Sequence, residues 1–232
     1  MPTATELSIR GTPVQMRQDG AGPPLVFLHG AGGAGRWLAF QERLAKDFSV
    51  YFPSHPGHGG SPAAEWIEHI SDLAFHYLDL LDRLGLDRAH LVGASFGGWI
   101  AAEIATMASH RLASLVLIDP VGIRVDGWIY PFLFGMDIPE IVTTIFQNPM
   151  AALALAPPDQ SAETLALQYR QGTALARVSW LTASTQSTNR SPTASGSSRC
   201  GTCPESANTR RRAPRISRAH VSPHGSSGAS RS

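Results

Sequence analysis

Leu91-Val92-Gly93-Ala94-Ser95-Phe96-Gly97-Gly98-Trp99 is the stretch that decides the fold. Its two leading apolar residues end a short run that begins at Ala89, and a serine flanked by glycines follows. From Trp99 to Ala108 the only charge is Glu103, the composition of a helix packed closely on a sheet. Strand, G-x-S-x-G string and helix thus follow one another. Small residues must flank the serine because a strand-to-helix turn this tight leaves no room for side chains two positions away. Such a turn lifts the hydroxyl to the carboxyl edge of a sheet and aims the positive end of the helix at it. The alternative is a glycine-rich βα turn with an incidental serine. The string alone is weak; its place between a strand and a helix is what gives it weight.

Similar apolar runs lie on both sides. Leu25 to Leu28 is bounded by Pro23-Pro24 and Gly30, and Ser49 to Phe52, Ala89 to Val92 and Leu115 to Ile118 have the same character, that of strands buried on both faces. Between them, Ile67, Ile70, Leu73, Ala74, Tyr77, Leu78, Leu81 and Leu84 recur at spacings of three and four until Gly85, which predicts an amphipathic helix. Strands alternating with helices imply parallel βαβ units, since a parallel connection needs a crossover of about a dozen residues. Glu6 to Ile9 and Pro13 to Arg17, on either side of Gly11, read as a hairpin. The fold class is therefore α/β with a mostly parallel sheet. Residues 124–180 break the rhythm with Trp128, Tyr130, Phe132, Phe134 and a helical Glu163 to Val178, and are expected to form a helical cap on a core begun by residues 1–123.

Phe27-Leu28-His29-Gly30-Ala31-Gly32-Gly33 supplies a second element, a strand end turning into a loop whose backbone N–H groups can meet an oxyanion. Acyl transfer concentrates charge on one oxygen, and losing one donor to it costs about 3–4 kcal/mol. Ala31 and Phe96 are the expected donors, with His29 and Gly30 beside the substrate and His29 holding the loop rather than transferring protons. Gly30-Ala31-Gly32-Gly33-Ala34-Gly35 also satisfies G-x-G-x-x-G, but a dinucleotide fold needs a carboxylate at the end of the next strand, where this chain has Pro53-Ser54.

These residues resemble the α/β-hydrolase superfamily. Four landmarks stand in its order: Leu28-His29-Gly30, His55-Pro56-Gly57-His58-Gly59-Gly60-Ser61, the turn at Ser95, and Leu115-Val116-Leu117-Ile118-Asp119-Pro120. The resemblance implies a serine hydrolase acting on a small ester or on a C–C bond next to a carbonyl, with Ser95 as nucleophile and no cofactor or metal. It also places the cap over the serine, where Trp128, Tyr130 and Phe132 would be apolar walls for the substrate.

A serine hydroxyl needs a histidine base and a carboxylate that fixes the imidazole. The family places the acid in a Gly-x-x-Asp turn after the seventh strand and the histidine in a Gly-His turn after the eighth; neither turn is present. Asp119 is the remaining acid, since some members carry it after the sixth strand, with a turn aspartate before Pro120 as the alternative. His110 precedes that strand, at the wrong end of the sheet. His220 and His224 follow no strand that would position them.

Composition explains the gap. All 18 aromatic residues fall at or before Trp180, and residues 182–232 contain 13 Ser, no Leu, 8 basic and 1 acidic side chain, against 11 basic and 17 acidic in residues 1–181. Such a stretch cannot build a core. Residues 181–232 are expected to be a disordered tail read out of frame, leaving the fold truncated before its last two strands. Cys200 and Cys203 both lie there, a lone C-x-x-C without the second pair a zinc site needs. The net charge of +1 implies no nucleic acid, and the polar start and broken apolar stretches imply neither secretion nor a membrane span. The expectation is a cytoplasmic protein acting on a small molecule, its oligomeric state left open.

Overall fold

A computed structural model describes residues 1–34, 37–123, 135–154 and 161–188. Trp128, Tyr130, Phe132, Phe134, Cys200, Cys203, His220 and His224 lie outside the described residues. Six strands form one sheet: β1 Thr3–Ile9, β2 Thr12–Asp19, β3 Pro24–Leu28, β4 Ser49–Pro53, β5 Ala89–Ala94 and β6 Leu112–Ile118, in the spatial order β1-β2-β4-β3-β5-β6. β4, β3, β5 and β6 are mutually parallel, while β1 pairs antiparallel with β2 and β2 antiparallel with β4. The sheet is thus mostly parallel, with a hairpin on one margin. That hairpin turns at Arg10 and Gly11, both at positive φ, a turn whose twist suits the strands it joins. Its tip is held by an ion pair from Arg10 to Asp79, the guanidinium lying 4.6 Å from the Trp66 ring centre.

Helices α1 Ala39–Leu44, α2 Ile70–Arg83 and α3 Phe96–Ala108 connect the strands. The three-and-four spacing read over Ile67 to Leu84 becomes α2, which buries Leu73, Ala74, Tyr77, Leu80 and Leu81. Its start is set by Asp72, whose carboxylate accepts from the N–H groups of Glu68 and His69, both at 2.9 Å. Its end is Gly85 at φ 68°, a left-handed cap position. Ile67 stays outside the helix yet is buried in the same core. The nearly uncharged α3 buries Phe96, Ile100, Ala101, Ile104 and Ala108. Phe96, Ile100, Ala101 and Ile104 join Val26, Leu28 and Leu91 in the main core, and Leu25, Phe27, Val50, Phe52 and Val92 form the core on the other face of the sheet.

β6 departs from the expectation. Its apolar run reads as buried on both faces, but Leu115, Val116 and Ile118 are 37%, 48% and 44% exposed. The cause is position: β6 stands at the margin of the sheet, and among the described residues no strand pairs with its outer edge.

After β6 come α4 Ile138–Ile145, α5 Pro149–Ala154 and α6 Ala162–Thr188. The helical character of Glu163 to Val178 falls within α6, which runs on past residue 181. Val178 of α6 is buried in the main core, and Arg177 donates to the Glu65 carbonyl at 2.5 Å. Among the described residues no helix is long and apolar enough to cross a membrane.

Candidate active site

Ser95 joins β5 to α3 at φ 50° and ψ −112°, a backbone conformation that few residues other than glycine adopt. The junction holds this strain because its neighbours leave the chain no alternative. A Cβ on Gly93 would stand 2.4 Å from the Gly97 carbonyl oxygen, and one on Gly97 would stand 2.2 Å from the Leu28 carbonyl oxygen. The close approach that makes the turn possible is therefore between bare backbones. Ser95 N–H donates to the Ile118 carbonyl at 2.8 Å, and Val121 N–H donates to the Ser95 carbonyl at 3.2 Å, so the end of β6 braces the turn. The serine is half-buried at the carboxyl end of the parallel strands.

The loop after β3 passes over it. A Cβ placed on Gly30 would lie 3.3 Å from Ser95 Cβ and 3.8 Å from Ser95 Oγ, so only glycine leaves that space open. Gly33 N–H donates to the Gly30 carbonyl at 3.1 Å and closes a turn with the exposed Ala31 at its crest. The N–H groups of Ala31 and Phe96 take no part in the turn and cap hydrogen bonds around them. Phe96 N–H is at the first turn of α3, where a helix leaves its donors unsatisfied. The structure brings Gly30 against Ser95, with Ala31 and Phe96 the next residues along the two chain segments.

His29 sits beneath this loop, 3% exposed, in a cluster with the equally buried His55 and His58. Its Nδ1 bonds the Gly30 carbonyl at 2.7 Å and its Nε2 accepts from His55 N–H at 3.0 Å. Burial depresses its pKa to about 3, opposed by the Gly30 hydrogen bond and reinforced by His58, so the ring is neutral. Burial lowers His55 and His58 in the same direction. The His29 ring offers no free nitrogen to a substrate, since Gly30 and His55 engage both. Among the described residues, no group of three or more His, Cys, Asp or Glu side chains could hold a metal ion.

Asp119 follows β6 at φ 42°, between Ile118 and Val121, whose backbones bond to Ser95. It is exposed, and no hydrogen bond or ion pair joins its carboxylate to another described residue. The Ser95 hydroxyl likewise has no hydrogen-bond partner among the described residues. His110 lies in the turn before β6, at the opposite end of that strand from Ser95.

Two open cavities flank the Gly59-Gly60 turn, one of about 390 Å³ against β1 and β2 and one of about 460 Å³ under Tyr169, Thr173 and Ala174 of α6. Ser95 lines neither of them. Helix α6 also reaches the loop after β3, since a Cβ on Gly33 would meet Gln171 Nε2 at 2.9 Å. Gln171 carried no signal in the sequence; only the placement of α6 brings it to this loop.

The alpha/beta hydrolase fold family model matches residues 23–198. The chain is 40% identical over 103 residues to a dihydrolipoyllysine-residue acetyltransferase component of acetoin cleaving system from Pseudomonas putida, which covers 44% of this chain and 28% of that protein. It is 31% identical over 137 residues to 2-hydroxymuconate semialdehyde hydrolase of Pseudomonas sp. strain CF600, covering 57% of this chain and 47% of that protein. It thus spans less than half the length of these curated relatives. The structure of N-acyl homoserine lactonase AidH complexed with N-butanoyl homoserine is similar with a TM-score of 0.58 at 22% identity, over 81% of this chain and 72% of that one. Naproxen esterase from Bacillus subtilis gives 0.59 at 18% identity, over 75% of this chain and 60% of that one. At such identities the likeness is one of fold. With the family model covering most of the chain, and the strained serine turn and the glycine loop over it in the family's order, the chain belongs to the alpha/beta hydrolase fold family.

Proposed function

We propose that the protein is a serine hydrolase that cleaves a small ester, or a C–C bond next to a carbonyl, through an acyl-enzyme at Ser95. The observation that carries this is the strained, half-buried Ser95 at the β5–α3 junction, with the Gly30 loop over its hydroxyl. Relatives named as hydrolases of 2-hydroxymuconate semialdehyde and 2-hydroxy-6-oxo-2,4-heptadienoate, and a putative carbamate hydrolase, support hydrolysis as the reaction class. Ser95 Oγ bonds to the substrate carbonyl carbon while its proton passes to a base. The carbonyl oxygen takes the negative charge against the N–H groups of Ala31 and Phe96. The bond to the leaving group then breaks, the leaving group takes up the proton, and water releases the acyl group. A fluorophosphonate probe should label wild-type protein at Ser95, located by peptide mapping, and leave Ser95→Ala unlabelled. A folded wild-type chain that stays unlabelled counts against the assignment.

A second reading, a hydrolase fold without turnover, is favoured by the absence of any histidine or carboxylate bonded to Ser95 among the described residues. Assay of p-nitrophenyl acetate and butyrate separates the two. Turnover abolished by Ser95→Ala refutes the second reading, whereas equal trace hydrolysis by both proteins supports it.

On the same reading, residues 124–180 are a cap. Its α6 lies against the Gly33 and Gly57 turns, a Cβ on Gly57 standing 2.4 Å from Ala174 Cβ, which supports a place at the site entrance. Trp128, Tyr130 and Phe132 are its proposed apolar walls. The missing base and acid are explained if the chain from about residue 181 is read out of frame. Translating the encoding DNA in its other two frames beyond the Trp180 codon should then show an apolar strand with Gly-x-x-Asp and a later Gly-His turn. Their absence from both frames would overturn this account of the tail.

A further inference from the structure

Four hydrogen bonds link the middle of α2 to the loop over Ser95, and proton accounting assigns the donor in each. His55 Nε2 lies 2.8 Å from the His29 carbonyl oxygen. A carbonyl only accepts, so the proton of His55 is on Nε2. Its Nδ1 therefore accepts, and the donor is the Tyr77 hydroxyl. On the other ring, His29 Nε2 accepts from the His55 backbone N–H at 3.0 Å, which puts the His29 proton on Nδ1, where it donates to the Gly30 carbonyl at 2.7 Å. The two imidazoles lie against each other with ring centres 3.7 Å apart. Every ring nitrogen of the pair is engaged, so neither histidine has a lone pair to act as base for Ser95.

We propose that Tyr77, acting through His55, is a positioning residue for the oxyanion loop. The His29 carbonyl selects the Nε2–H form of His55, and the Tyr77 hydroxyl donates to the free Nδ1 and anchors that ring. His55 then clamps both the carbonyl and the ring of His29, fixing the Gly30 to Gly33 turn that presents Ala31 N–H. The inference rests on the reading of Ala31 as an oxyanion donor. Chemistry makes the clamp depend on one proton. Were His55 protonated on Nδ1 instead, the Nε2 lone pair would face the His29 carbonyl oxygen, and two acceptors would repel where a bond now stands. Tyr77 is 2% exposed at the centre of α2 among Leu73, Leu80 and Leu81, so the hydroxyl is anchored by the main core. Without the hydroxyl, His55 Nδ1 has no partner among the described residues and the His29 carbonyl alone holds the ring.

Long-range proton–nitrogen NMR of the histidine rings tests the assignment on the full chain and needs no turnover. The expected result is His55 protonated on Nε2 and His29 on Nδ1. Tyr77→Phe, which removes only the hydroxyl, should leave His55 protonated on Nε2, shift its Nδ1 resonance, and speed amide exchange at Gly33, whose N–H closes the loop turn, and at His55, whose N–H bonds His29, about tenfold or more, with exchange in β5 unchanged. His55 found protonated on Nδ1 overturns the proposal. So does a folded Tyr77→Phe protein whose loop exchange matches wild type; if that variant does not fold, the wild-type spectrum still decides. Unlabelled Ser95 with the tautomers as stated would sink the hydrolase reading and leave this relay standing, so the two can fail separately.

Discussion

Gly97→Ala should lose about 3 kcal/mol of stability or more, a large share of the roughly 5–15 kcal/mol that holds a domain of this kind together. The added Cβ would lie 2.2 Å from the Leu28 carbonyl oxygen and 2.5 Å from that of His29. Both are backbone atoms at the end of β3, and β3 is pinned between β4 and β5. A flexible side chain could turn aside; a central strand cannot. Helix α3 and β3 must therefore separate, and the buried contacts of Phe96 and Ile100 loosen with them. Gly32→Ala is the control, since a Cβ there meets nothing within 4 Å and its φ is not positive. Urea unfolding should show the Gly97→Ala midpoint far below wild type with Gly32→Ala within about 0.5 kcal/mol of it. Equal midpoints for all three would show that the close packing of α3 on β3 carries no such weight.

Acid should unfold the protein well above the pH at which its carboxylates titrate. His29 and His76 take up protons near 6.5 when unfolded but only near about 3 and about 4 when folded, because burial disfavours their charged forms. For His76 the nearby Asp79 works against that burial and Arg10 with it. A lowered folded pKa means that the unfolded chain binds more protons below 6.5, so stability is full above that pH and falls as the pH drops from there toward the folded values. Each group then costs about 1.4 kcal/mol for every pH unit below its unfolded value, so near pH 5 the two together remove about 4 kcal/mol. His55 and His58 are displaced the same way and add to the loss. Denaturant midpoints measured from about pH 7.5 to about pH 5 should fall steadily below about 6.5, and His76→Gln should flatten the slope. A curve level down to pH 5 would mean that these rings are not buried and neutral.

The two expectations depend on different parts of the sequence. The turn at Ser95 was legible because its requirement is local: the chain cannot turn from β5 into α3 unless residues 93 and 97 are bare backbone, and glycines stand at both. The β3, β4 and β5 runs and the period of α2 were legible for a similar reason, since a strand buried on both faces must be apolar throughout and a helix must be apolar on one side. Helix α1 was not read. It has six residues and buries only Gln41, whose side chain accepts from Leu38 N–H at 2.7 Å, so it leaves no periodic signal.

What the sequence by itself determined is the order of the six strands with α2 and α3 between them, the hairpin, the turn that carries Ser95 and the glycine loop that follows β3, because each is dictated by steric and periodic demands within a few residues. The expected truncation before the last two strands already implied an unpaired edge; tertiary structure decided how far Leu115, Val116 and Ile118 of β6 open to solvent there. It alone placed Gln171 against Gly33 and joined Tyr77 to His55 and His29. Those contacts close over separations of 22 to 138 residues, where composition and spacing carry no information, and they form only when packed elements bring the chain back upon itself.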